Sequence, residues 1–130
     1  MTEKELSQYY YLTVEIKDIE ERITKFGVGV GSKGFENEIS WNGRGASIQE
    51  KYTELKSLYI EKRLDALEQY IKIEKYISNV EDSEIRLIMR MRFLDLKDWE
   101  DIGDKIHCDR TTVARKVRKY IKSNLPTNPI

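Results

Sequence analysis

Asp98-Trp99-Glu100-Asp101-Ile102-Gly103-Asp104-Lys105-Ile106 runs into His107-Cys108-Asp109 and then into residues 110–123, RTTVARKVRKYIKS. This stretch decides the reading of the chain. Its first nine residues predict a short helix. Asp98 can accept a hydrogen bond from a free amide at the helix start, and Glu100 and Asp101 suit its positive end. Ile102 and Ile106 lie four apart and share one face. Gly103 costs a helix roughly 1 kcal/mol against alanine, so a close approach of the next helix is expected there. His107 falls where a chain leaves a helix, a position that often needs a left-handed backbone, and histidine is one of the few non-glycine types enriched at positive φ. Asp109 is placed to cap the second helix.

On residues 110–123, Val113, Val117, Tyr120 and Ile121 form one stripe. At about 100° per residue, Thr111, Thr112, Arg115, Lys119 and Lys122 fall on the opposite side. Arg110, Lys116 and Arg118 complete the basic set, and no acidic residue lies between positions 110 and 124. Two helices joined by a three-residue turn, the second one basic, is the pattern of a helix-turn-helix that places its second helix in a major groove. In that role the stripe holds the helix to its domain. The threonines and Arg115 can reach base edges, and the lysines can meet phosphates. The expected DNA-contacting residues are Arg110, Thr111, Thr112, Arg115, Lys116, Arg118, Lys119 and Lys122.

Asp98-Trp99-Glu100-Asp101-Ile102-Gly103, then Ile106-His107-Cys108-Asp109, then Thr112-Val113 resembles the helix-turn-helix of sigma-factor region 4, which shows Ser-x-Glu-Glu-Ile-Ala, Leu-Gly-Ile-Ser and Thr-Val at the same spacing. Residues 84–93 (EIRLIMRMRF) look like the helix that precedes it in such domains. Gly103, His107 and Cys108 depart from the pattern without introducing a buried charge. A helical hairpin followed by this module looks like the small phage transcriptional regulators of the ArpU and RinA type. The resemblance implies a phage or prophage late-gene activator that binds double-stranded DNA and touches host RNA polymerase.

Lysine plus arginine equals aspartate plus glutamate, 23 each, so the net charge is zero. A purely electrostatic nucleic-acid binder is therefore not expected, but a groove reader is compatible, because six bases cluster on one helix and local field governs phosphate attraction. One cysteine excludes an internal disulfide and suits a reducing, cytoplasmic setting. No apolar run approaches the roughly 18 residues of a membrane span.

The rest of the chain predicts helices as well. Residues 3–26 carry Tyr9, Leu12, Ile16, Ile19, Ile23 and Phe26 at alternating spacings of three and four, the period of a coiled-coil seam. Residues 27–46 hold six glycines and read as a loop, with Phe35, Ile39 and Trp41 as apolar anchors and Lys33 and Arg44 as possible DNA contacts. Ser47 with Glu50 reads as a capping box opening a second helix. There Ile48, Tyr52, Leu55 and Tyr59 make a stripe that Ile60, Leu64, Leu67 and Ile71 take up one position later. Asp82 or Ser83 starts a helix 83–93 with Ile85, Ile88, Met89 and Phe93 inward and Arg86, Arg90 and Arg92 outward. Both prolines lie in the tail, residues 126–130.

The expected fold is all-α. Residues 1–78 form a long coiled-coil-like helical hairpin for oligomerisation, and residues 79–125 form the helix-turn-helix domain. Two narrow stripes bury little area, so a homodimer through the N-terminal helices is expected. An enzyme is not expected: the chain has a single histidine, no Gly-rich loop followed by Lys-Ser/Thr, and no evident carboxylate pair. His107 and Cys108 are adjacent, but no second pair stands at zinc spacing, so no metal or cofactor is expected. Two other assignments fit the layout. One is a DNA-packaging adaptor like a small terminase subunit. The other is a module that binds polymerase without touching DNA.

Overall fold

The computed structural model describes residues 1–25 and 43–125. Thr2 opens it, its hydroxyl accepting from the Glu5 amide at 3.1 Å to start α1, Glu3–Leu6. Ser7 separates this turn from α2, Gln8–Lys25. The single helix expected over 3–26 is thus two pieces, and Phe26 lies outside the described residues. Helix α3 is Gly43–Ser78. It begins four residues before Ser47, so the expected capping box is not its start, and Gly43 and Gly45 stand within it. Helical context overrides the modest penalty of two glycines in a helix of 36 residues. The rest of the expected loop 27–46, with Lys33, Phe35, Ile39 and Trp41, falls outside the described residues.

Asp82 caps α4, Ser83–Met89, accepting from the amides of Glu84 at 2.9 Å and Ile85 at 3.2 Å. The expected helix 83–93 changes character at Arg90. Residues Arg90–Leu94 form a π-helical turn, with the Asp95 amide donating to the Arg90 carbonyl at 2.9 Å. This wider turn buries Met91, Phe93 and Leu94 together, so the core reaches one residue past the expected helix end. Leu96 leaves it with φ 60°. Helices α5, Trp99–Ile106, and α6, Arg110–Ser123, complete the chain. Every regular element among the described residues is helical.

Two compact units share these helices: residues 1–11 with 68–130, and residues 12–67. In the first, Leu6, Ile73, Ile77, Val80, Ile88, Met89, Phe93, Ile102, Val113, Val117 and Ile121 lie in one buried cluster. In the second, Ile23, Tyr52 and Tyr59 are buried, with Ile16, Ile19 and Leu55 against them. There Glu15 pairs with Lys62 at 3.3 Å, and Tyr59 donates to Glu20 at 2.5 Å. These pairings run in opposite order along α2 and α3. The Glu20 hydrogen bond, with burial, raises the pKa of the Tyr59 phenol.

The second half of the α3 stripe departs from expectation. Tyr52, Tyr59, Ala66 and Ile73, seven residues apart, are buried, and Ile77 joins them near the helix end. Ile60, Leu64, Leu67 and Ile71 are half exposed, at 50%, 55%, 54% and 45%. A seven-residue repeat keeps one seam on one side of a helix. A stripe one position later therefore cannot continue the same inward face.

Candidate nucleic-acid interface

The turn between α5 and α6 is built residue by residue. Asp98 accepts from the Asp101 amide at 2.8 Å. His107 ends α5 with φ 59° and ψ 43°, and the Cys108 amide donates to the Gly103 carbonyl at 2.9 Å. A Cβ on Gly103 would sit 2.5 Å from the Cys108 carbonyl oxygen and 3.4 Å from the Arg110 nitrogen. The glycine lets the turn fold back against α5 and fixes where α6 starts. Asp109 occupies the cap position of α6 but makes no side-chain hydrogen bond to a backbone amide. Its carboxylate accepts from the Thr111 hydroxyl instead. That bond, aided by nearby backbone amides and by Arg110, holds the Asp109 carboxyl below the usual range.

Helix α6 packs against α4 and α5. Val113, Ala114, Val117 and Ile121 are buried and Tyr120 is half-buried, so Ala114 joins the expected stripe. Burying a valine or isoleucine contributes about 1.5–3 kcal/mol, and a solvent-exposed ion pair contributes a small fraction of that. Packing along this stripe, not charge, therefore fixes the helix.

The eight expected contact residues divide into groups. Thr111, Arg115, Arg118, Lys119 and Lys122 line one open depression on the outer side of α6. Arg115, Lys119 and Lys122 are exposed and make no ion pair among the described residues. Arg110 is exposed at the helix start, beside Asp98, Trp99 and Glu100. Thr112 is half-buried. Lys116 and Arg118 are already engaged. Lys116 pairs with Glu84 at 2.8 Å, which raises the lysine's pKa. Arg118 pairs with Glu3 at 3.3 Å and lies 5.9 Å from the Trp99 ring.

Three further arginines, expected on the outside, have structural partners. Arg86 donates to the Val80 carbonyl at 2.8 Å, and Arg90 donates to Glu74 at 2.9 and 3.2 Å. Arg92 donates to the Lys97 carbonyl at 3.2 Å and sits 4.5 Å over Trp99. Sequence reading did not find the two acids that hold Lys116 and Arg118. Glu3 lies 115 positions from its arginine, and no local spacing signals such a pair.

No helix among the described residues is long and apolar enough to cross a membrane. No curated protein and no solved structure matches the chain. The family model described as "Protein of unknown function (DUF1492)" matches residues 43–124, more than half of the chain and the whole of α4, α5 and α6. The chain belongs to this phage-type family.

Proposed function

We propose that the protein is a sequence-specific DNA-binding transcription regulator. In this reading α5 and α6 are a helix-turn-helix resembling sigma-factor region 4, preceded by an antiparallel helical hairpin, and α6 enters the major groove. The observation that carries it is the division of α6. Val113, Val117 and Ile121 are buried, while Thr111, Arg115, Lys119 and Lys122 stand outside together with no acid on the helix. Arg115 and Thr111 are the base readers, and Lys119 and Lys122 the phosphate contacts. Lys116 and Arg118, beside their exposed pairs with Glu84 and Glu3, are further phosphate contacts. A phage-type family suits late-gene activation, with RNA polymerase as a second partner in the cytoplasm.

Selection of bound sequences from random duplexes tests the proposal. A defined motif is expected. Arg115→Ala then costs about 1–3 kcal/mol on that motif and relaxes preference at one position. Lys119→Ala weakens binding to all sequences and lowers the salt slope by about one. If no duplex is enriched and neither change alters binding, the groove-reading assignment fails. Co-purification with polymerase without any DNA shift would instead select the polymerase-binding module. Rings of many chains in light scattering would select the packaging adaptor.

A further inference from the structure

Ile60, Leu64, Leu67 and Ile71 follow one another at spacings of four, three and four along α3. This is the d-a-d-a sequence of a coiled-coil seam. All four are half exposed, while the seven-residue series Tyr52, Tyr59, Ala66 and Ile73 is buried. At about 100° per residue the two series fall on different sides of the helix. Thus α3 spends one heptad face on its own chain and presents another. Four aliphatic side chains in a row are more than the scattered apolar exposure of an ordinary surface.

The charges beside this seam identify its occupant. With Leu64 and Ile71 at a, Lys56 and Arg63 take the g positions and Glu61 and Glu68 the e positions. In a parallel pair of identical helices, each g residue meets the e residue five positions later on the other chain. Lys56 then faces Glu61, and Arg63 faces Glu68, each twice by symmetry. In an antiparallel pair the acids of one flank would meet each other, and so would the bases. Arg63 lies 5.7 Å from the Tyr59 ring centroid within its own chain, and Lys62, further round, is held by Glu15. The chain is neutral overall, so a second copy meets no net repulsion.

We infer that the outward stripe of α3, Ile60, Leu64, Leu67 and Ile71, pairs with the same stripe of a second copy in parallel, giving a homodimer. This inference stands apart from the DNA-binding reading, because it is tested without DNA. The seam is two heptads long, shorter than the three to four that hold a coil on their own. Association is therefore concentration-dependent.

Sedimentation equilibrium of the full chain is expected to show a monomer–dimer equilibrium at sub-millimolar concentration. Leu64→Ala with Leu67→Ala removes the seam while raising helix propensity. It should weaken association about tenfold or more with far-ultraviolet circular dichroism unchanged. Arg63→Glu should weaken the dimer, and adding Glu68→Arg should restore it. In a Cys108→Ala background, Leu64→Cys should cross-link to itself under mild oxidation, since a positions face each other in a parallel pair. A wild-type chain that stays monomeric overturns the inference, as does a dimer indifferent to the double alanine change. Cross-linking of the Leu64→Cys chain only to a Leu67→Cys chain overturns the parallel arrangement.

Discussion

A Cβ at Gly103 would meet a backbone oxygen at 2.5 Å, and no rotamer change relieves a contact with backbone. Alanine would gain about 1 kcal/mol of helix propensity there, but the crowding costs more. Gly103→Ala is expected to destabilise by about 1–3 kcal/mol, read as a lower midpoint in urea. His107 holds a left-handed conformation, which a β-branched residue resists by roughly 1–2 kcal/mol. His107→Val should therefore lose about that much. Tyr76 is the reverse case. Its hydroxyl is buried without a hydrogen-bond partner among the described residues, and burial raises its pKa. Tyr76→Phe removes an unsatisfied group and is expected to stabilise by about 1 kcal/mol. Asp109 sets a pH dependence. Its folded pKa is depressed, chiefly by the Thr111 hydroxyl, so its contribution is present above the unfolded carboxylate pKa of about 3.9 and is lost as pH falls through the folded value. Asp109→Asn should flatten that acid limb in a pH series of denaturation curves, and no change in the limb would refute the Thr111 linkage.

At the scale of elements, the helices announced themselves where local chemistry sets them. Asp98 and Asp82 cap, His107 turns, and the α6 stripe is periodic, all within a few residues of sequence. What stayed hidden depends on distance or on context. The π-helical turn at Arg90–Leu94 buries Met91, Phe93 and Leu94 at once, which no single-helix period describes. The start of α3 at Gly43 is hidden because glycine-rich sequence reads as loop. The acids facing Lys116 and Arg118 come from α4 and α1, far along the chain. Their presence makes a distinction among bases that composition cannot make. Arg118→Ala removes the exposed pair with Glu3 and should lower stability by no more than about 1 kcal/mol, whereas Lys122→Ala should leave it unchanged. Thermal melts of the two variants, side by side, check this difference.

At the scale of the whole molecule, the all-helical class was legible from charge content and periodicity, and the reading of the basic helix rests on residues whose exposure the structure supplies. The division of α3 was only half legible. The one-position shift between Tyr59 and Ile60 is visible in the sequence, but which series turns inward is decided by Ile16, Ile19 and Ile23 packing on the first. Leu6 carries a practical lesson. It is fully buried in the cluster that contains Val113, Val117 and Ile121, yet it lies 37 positions before the segment 43–124 that the family shares. Trimming the polypeptide to that shared segment would remove Leu6 from this cluster, a loss of at least about 2–5 kcal/mol by analogy with leucine-to-alanine truncations. Anyone expressing the C-terminal portion alone should expect a floor missing one of its boards.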